Sequence, residues 1–554
     1  MRVKILAASI GNCVHVAGVH AFLDLARANG FETTYIGPGV PIQRLVSAIR
    51  EQNPDLVALS YRLTPQSAQT LFGELKQEFA QDPSLRNRRF FFGGTPPVAE
   101  VATGSGLFEA VFDGSEPAEA VVSALKGLSA GGPIEKHIDD LVGRVQAASP
   151  VPLIRHHFGL PSLQETLEGA RKIAQRGALD ILSLAPDQNA QESFFKPEAM
   201  SSGLDGAGGV PVRKPDDLRG LFETTRCGNH PLLRCYSGTN DLIKWAEMLR
   251  ETVNIAWGAV PLMWYSELDG RSKRPLRDAI AENQEAIRWY ADKGIPVEVN
   301  ESHQWALRRC GDTIELATAY IAAYNARKLG VKDYVCQFMF DTPKGISPSM
   351  DIAKMLAKLE LVESLANGSF TVLRMVRTGL SSMSTDPNIA KGQMASSVFS
   401  AMTLRPHIVH VVGFSEADHA ATADEVIESC EIARGAVHKA LLGMPRPEHD
   451  PAVSARKAQL LDEARFLIDA VKRVGTTHPH DPLLSPDVLT AAVRGGLLDA
   501  SDLRGGTVAR GGVVTRIVGG ACVIVDGASE APIAEKDRVN KLAMSEDDLD
   551  MAEM

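Results

Sequence analysis

Cysteine is scarce, with seven residues in 554. Cys13, Cys227, Cys235, Cys310, Cys336, Cys430 and Cys522 are scattered, odd in number and never spaced C-x-x-C. That pattern excludes a disulfide scaffold and a zinc ribbon, and reduced thiols in a cytoplasmic protein are the expected state. Long apolar runs are also missing: none approaches the ~18 residues of a membrane helix. The amino terminus, MRVKILAAS, lacks the separate basic, apolar and cleavage regions of a secretory signal. Positive charge is in deficit, 58 Lys and Arg against 68 Asp and Glu, for a net charge of −10. Such a surface opposes general binding to nucleic acid or anionic membrane. The first strand–helix turn carries no G-x-G-x-x-G, which argues against a nicotinamide dinucleotide.

What is present is ordinary for a folded protein: 44% hydrophobic and 23% charged residues. The length suits about three domains. Residues 1–130 alternate short apolar runs (VKILAAS, FETTYIG, DLVALSY, RRFFFGG, AVFDG) with amphipathic helical patterns. This predicts a doubly wound parallel α/β sheet, with its ligand beyond the carboxyl ends of the strands. Residues 131–160, flanked by LSAGGP and SPVPL, read as a linker containing a helix. From 161 to 445, seven strand patterns alternate with strong helices: 178–185, 231–238, 254–260, 296–300, 333–340, 370–376 and 407–414. Seven strands with crossover helices predict a TIM-type barrel with one strand missed or degraded, a large open sheet being the structural alternative. Residues 446–554 read as a small α+β extension, with a hairpin at VTRIVGGACVIVDG and an acidic tail.

The first turn reads Gly11-Asn12-Cys13-Val14-His15-Val16-Ala17-Gly18 and opens directly into a helix. A histidine at the carboxyl end of a buried strand can ligate a cofactor, and Gly18 lets the backbone pass a bulky group closely. Ser60 ends a third strand, with Leu63 after it, and Gly93-Gly94-Thr95 ends a fourth. These stations resemble the cobalamin-binding domain of methionine synthase and the adenosylcobalamin mutases, whose signature is D-x-H-x-x-G, then S-x-L, then G-G. The resemblance implies that His15 replaces the cofactor's own nucleotide base on cobalt. It also implies that Gly18, Ser60, Leu63, Gly93, Gly94 and Thr95 line a slot for the displaced nucleotide tail. Two departures stand out: Cys13 occupies the place of the family's aspartate, and Leu63 falls one position late. The aspartate holds the histidine's second ring nitrogen; a thiol brings no such charge.

A barrel-sized segment directly after such a domain resembles a radical mutase. A methionine synthase-type protein carries a four-helix cap before the cobalamin domain, and strand one begins at residue 2 here. Residues 160–445 distantly resemble the catalytic barrel of methylaspartate (glutamate) mutase, through Leu233-Arg234-Cys235-Tyr236-Ser237-Gly238-Thr239, Gly443–Glu448 and the 514–527 hairpin. That family's Arg-His-Gly-Thr stretch loses its histidine here. The resemblance implies adenosylcobalamin, a small carboxylic or amino acid substrate and, as in many barrel mutases, a homodimer. A corrinoid methyltransferase and a noncatalytic cobalamin carrier or sensor are the alternatives.

In the barrel, polar residues near strand ends are the expected site: Arg234, Tyr236, Glu298, Glu301 and His303, with Asp187, Trp264, Tyr265 and Arg377 as further candidates. Arg234 suits a carboxylate; Glu298, Glu301 or His303 suits a proton acceptor or a grip on an amino group. Met350–Glu360 reads as an amphipathic helix whose lysines are solvated, and HPHD (His478, His480) as a polar turn.

Overall fold

Short, mostly apolar runs bounded by turn residues supply most of the strands; Glu32–Tyr35 (ETTY) and Leu153–Phe158 (LIRHHF) are the polar exceptions. The computed structural model describes residues 3–116, 118–126, 137–474 and 481–542. The chain divides into two compact units, Met1–Lys136 and His137–Met554. In the first, five parallel strands, β1 (Lys4–Ser9), β2 (Glu32–Tyr35), β3 (Leu56–Tyr61), β4 (Arg89–Gly94) and β5 (Ala110–Phe112), take the order β2-β1-β3-β4-β5. β3 is buried at every position, as a central parallel strand covered on both faces must be. Successive residues feed two separate cores: Leu6, Val57 and Phe92 on one face, Ile5, Ala58 and Phe91 on the other. This is the flavodoxin-like order, and its switch point falls between β1 and β3.

The second unit holds eight parallel strands, the seven read from the sequence and the one that the barrel expectation left unseen. They are β6 (Leu153–Phe158), β7 (Ile181–Leu184), β8 (Leu232–Cys235), β9 (Gly258–Val260), β10 (Val297–Val299), β11 (Asp333–Phe340), β12 (Thr371–Thr378) and β13 (Ile408–His410). Their order is β8-β7-β6-β13-β12-β11-β10-β9. Across the seam the Ala256 N–H donates to the Leu233 carbonyl at 2.8 Å, so the sheet forms a nearly closed TIM-type barrel. The additional strand, β6, lies within the segment read as linker. Its LIRHHF run hides an alternating pattern behind three cationic or imidazole side chains. A helix, Pro451–Val474, packs on helices Asp312–Lys328 and Pro348–Glu363. The expected hairpin forms from β14 (Thr515–Val518) and β15 (Ala521–Ile524). The LSAGGP segment, His478, His480 and the acidic tail lie outside the described residues.

The lysines of Met350–Glu360 are not solvated: Lys354 and Lys358 are both fully buried. Lys354 Nζ donates to the Thr342 carbonyl at 2.5 Å and lies 3.2 Å from Glu315 and 3.4 Å from Asp351. Lys358 Nζ donates to Ser302 Oγ at 2.7 Å and to Glu315 at 3.3 Å. Arg456, from the Pro451–Val474 helix, reaches Asp312 at 2.9 Å. Helical periodicity reads such lysines as a polar face; acids on the neighbouring helix make burial tolerable instead. Burial pushes the Asp351 carboxyl from 3.8 to about 7, with Lys354 opposing. The folded chain then holds a proton that the unfolded chain releases, so Asp351 lowers stability as pH rises from 3.8 to about 7. Asp351→Asn should flatten that fall, read as melting temperature across this range. An unchanged slope would show that Asp351 does not titrate there.

Candidate functional site

The turn after β1 is built to hold one imidazole outward. Gly11 has φ +66°, and a Cβ there would meet Leu71 Cδ1 at 2.6 Å, so only glycine fits without a shift. The Gly39 N–H donates to the Cys13 carbonyl at 2.9 Å, Ser9 Oγ to the His15 carbonyl at 3.3 Å and Tyr61 Oη to Asn12 Oδ1 at 3.2 Å. Cys13 is fully buried, whereas His15 is exposed. Cys13 Sγ lies 3.8 Å from His15 Nδ1. The thiol therefore stands beside the ring nitrogen that the aspartate holds in the resembled family, and Nε2 is left for a metal.

Behind the turn, Ser9, Ser60 and Gly93 sit side by side on β1, β3 and β4 at their carboxyl ends. A cavity of about 610 Å³ opens there. Gly18, Ser60, Gly93, Gly94 and Thr95 line it, together with Phe22, Phe91 and Phe112. A Cβ at Gly18 or Gly93 would meet nothing within 4 Å, so these glycines leave space rather than relieve a clash. Gly94 differs: a Cβ there would lie 2.8 Å from the Tyr61 carbonyl. Leu63 is exposed at 38% and stays outside the lining. An outward imidazole beside a buried thiol and an aromatic, glycine-floored slot fit cobalamin held through a protein histidine. Cys13→Asp should strengthen cobalamin binding or leave it intact, because a carboxylate raises imidazole basicity; such changes shift affinity by ~10–100-fold. Complete loss of binding would show a turn remodelled around the thiol.

In the second unit, strand alternation sorts the barrel interior into layers. The floor is apolar: Leu153, Ile181, Leu232, Val335, Leu373 and Ile408, closed by Trp257. Two residues further along the same strands stand Arg155, Ser183, Arg234, Gln337, Met375 and His410, all buried. Two further still are His157, Tyr236 and Arg377, each partly exposed.

Glu298 of β10 faces Arg155 and Arg234, and Glu416 faces Arg377 nearer the mouth. Glu298 Oε2 accepts from Arg234 Nη2 at 3.0 Å and Trp257 Nε1 at 2.8 Å and lies 3.9 Å from Arg155 Nη1. Burial pushes Glu298 up, but Arg234, Arg155 and these hydrogen bonds outweigh it and hold its carboxyl below the ordinary range. Arg155 donates to Ser183 Oγ at 2.7 Å, yet burial and then Arg234 lower it to about 9. The interior thus carries an excess of positive charge. Arg234 Nε and Nη1, Gln337 Nε2, His410 Nδ1 and Glu298 Oε1 are buried without a hydrogen-bond partner among the described residues. Unmet donors outnumber the one unmet carboxylate oxygen, and buried polar atoms of this kind cost stability until a ligand meets them.

His157 Nε2 lies 3.1 Å from Arg155 Nη2 and 3.1 Å from Tyr236 Oη. A guanidinium only donates, so Nε2 accepts and the ring proton sits on Nδ1. Burial, then Arg155 and Arg234, hold His157 well below its ordinary value, so it is neutral. The same combination of burial and cations keeps His410 and His303 neutral. Arg234 also stacks over Tyr236, 4.3 Å from the ring centre.

Of the residues expected from sequence, Arg234, Tyr236 and Glu298 converge, and His303 lies in the field of Arg377 and Arg234. Glu301 does not join them. Its Oε2 accepts from the Leu262 and Met263 N–H groups at 3.1 and 3.0 Å and its Oε1 from Trp305 at 2.7 Å, fixing the loop after β9. Burial raises it to about 7 against those bonds. Asp187 pairs with Arg213 and caps a short helix through the Ala190 N–H at 2.9 Å. Trp264 packs on Trp305 with ring centres 4.8 Å apart. Arg155, His157, Gln337 and His410 also line this interior and are not among the residues expected from sequence. The first two lie on the missed strand, where Arg155 and His157 at period two, between Pro152 and Gly159, were the available signal.

Residues 3–122 match the family model of the B12 binding domain. Among solved structures, a novel cobalamin-binding protein from Desulfitobacterium hafniense is 27% identical over 23% of this chain, with a TM-score of 0.20, and the match spans 60% of that protein's length. A rubisco-like protein from Burkholderia fungorum is 14% identical over 58% of this chain and 69% of its own, with a TM-score of 0.35. The cobalamin-dependent S-adenosylmethionine radical enzyme OxsB, with aqua-cobalamin bound, is 10% identical over 90% of this chain and 76% of its own, with a TM-score of 0.20. No curated protein matches the chain. Among the described residues no helix is long and apolar enough to cross a membrane. The family match, on a sheet of flavodoxin-like order, identifies residues 3–122 as a B12-binding domain.

Proposed function

We propose that the chain is an adenosylcobalamin-dependent mutase that rearranges the carbon skeleton of a small carboxylic or amino acid. The observation that carries this reading is a B12-binding domain joined in one chain to a barrel whose interior sets Arg155 and Arg234 against Glu298, with Arg377 beside Glu416 at the mouth. Cys13, His15, Gly18, Ser60, Gly93, Gly94 and Thr95 would hold the cofactor. When bound, adenosylcobalamin supplies an organic radical able to take a hydrogen from substrate and return it.

The barrel residues do the remaining work. Arg234 offers an open guanidinium edge to a substrate carboxylate, and Arg377 stands above it at the mouth. Glu298 keeps the cations in place and offers Oε1 to a substrate donor. Neutral His157 holds the Tyr236 hydroxyl by accepting its hydrogen bond, which fixes the ring against Arg234. The apolar floor shuts water out from below.

Reconstitution with adenosylcobalamin and a screen of small carboxylic and amino acids for an electron spin resonance signal tests the reading. A substrate-dependent radical signal is expected; cobalamin bound but silent with every acid counts against a mutase. Arg234→Lys keeps the charge and loses the planar fork. It should weaken substrate use far more than cobalamin binding. An equal fall in thermal stability of the substrate-free protein would assign Arg234 to its Glu298 bridge alone.

A further inference from the structure

The amino-terminal face of the barrel carries a second cationic cavity, remote in the fold from the strand ends that bear Tyr236 and Arg377. It measures about 560 Å³ and lies beside the segments that lead into β6 and β13. That volume falls within the ~300–1,000 Å³ typical of small-molecule sites. Arg374, Arg405 and Arg446 line it against one acid, Glu448. In a chain of net charge −10 this is a local reversal of sign.

The three arginines are not equally engaged. Arg374 donates to the Arg405 carbonyl at 3.1 Å and to Glu363 at 3.1 Å. Helices end at this face, and carbonyls exposed there account for one such arginine. The guanidiniums of Arg405 and Arg446 make no hydrogen bond or ion pair among the described residues, and both are exposed. Two neutral donors stand with them. The Arg374 N–H donates to His407 Nδ1 at 2.9 Å, which puts the imidazole proton on Nε2; burial and then Arg374 lower His407 to about 4, so it is uncharged. Thr403 Oγ1 is buried with no partner. Apolar Met402, Met444 and Pro406 complete the lining.

We infer that this cavity is a binding site for a multiply charged oxyanion, of the organic phosphate class, separate from the substrate site in the barrel. Guanidinium forks match phosphate oxygens in pairs. The imidazole and hydroxyl supply further donors, and the methionines and proline suit an organic portion. The space exceeds what inorganic phosphate alone would fill.

Inorganic pyrophosphate is the probe, titrated calorimetrically into the full-length protein at low ionic strength. Saturable binding is expected, weakening with added salt. The double variant Arg405→Ser, Arg446→Ser should bind at least about 10-fold more weakly, as loss of hydrogen bonds to charged groups implies. Both side chains are exposed, and the single variant Arg446→Gln serves as a second readout, with an intermediate loss expected. Arg377→Gln, at the barrel mouth, should leave pyrophosphate binding unchanged. Absence of binding to the wild-type protein would overturn the proposal. So would binding that the double variant retains, or binding that Arg377→Gln abolishes, since the anion would then sit among the barrel-mouth arginines.

Discussion

His15→Ala should abolish base-off cobalamin binding, the largest single effect expected in the amino-terminal unit. His15 Nδ1 faces the buried Cys13 sulfur and its ring stands exposed on a turn fixed by Gly11, Ser9 and Tyr61, so only Nε2 is presented outward. Alanine removes that nitrogen together with the Cys13 Sγ–His15 Nδ1 contact, and leaves the turn's other hydrogen bonds intact, because they run through the backbone and through other side chains. The fold should persist, visible in an unchanged far-ultraviolet spectrum, while affinity falls and the visible spectrum of any retained cobalamin changes. A cobalamin complex whose spectrum ignores the substitution would remove His15 from the role. Failure of the wild-type protein to bind any corrinoid would remove the role itself.

Glu298→Gln should produce the largest loss of stability in the barrel. The substitution keeps shape but leaves Arg155 and Arg234 buried against no anion, and breaking a buried charge pair from one side typically costs ~3–5 kcal/mol. Denaturant titration reads the loss. The effect has a defined pH dependence. Glu298 is depressed in the folded state from an ordinary value of 4.5. Its contribution is therefore present above about pH 4.5 and lost as pH falls through the lower folded value. The wild-type and variant stability curves should converge at low pH. Parallel curves would mean that the ionised carboxylate is not what balances the arginines. A small dicarboxylate that narrows the gap at neutral pH would further support an anion-binding interior.

The amino-terminal unit was legible because four of its five strands are largely apolar runs and its site is local: Ser60 and Gly93 lie at the ends of β3 and β4, and His15 and Gly18 in the turn and first helical turn after β1. Leu63 was misplaced because β3 ends at Tyr61 and the chain then turns outward. The barrel was legible as a class, through alternating strands and crossover helices, but β6 was not. LIRHHF buries Arg155 inside the barrel and turns His156 toward the helical layer, so neither face reads as apolar. Glu301 was expected in the site because it follows β10, yet its side chain turns back to the loop at Leu262 and Met263. The buried Lys354 and Lys358 show the same limit. One-dimensional periodicity records polarity, and only the neighbouring Asp312 and Glu315 reveal that the polar face is covered.

On the proposed reading, a histidine of this chain is the lower ligand of bound cobalamin. Electron spin resonance of the cobalt(II) form on protein grown with nitrogen-15 tests it most directly. A ligating nitrogen splits the cobalt lines into doublets if it is nitrogen-15 from the protein, and into triplets if it is nitrogen-14 from the cofactor's own base. Doublets that vanish in His15→Ala are expected. Triplets, or doublets that survive the substitution, would contradict it.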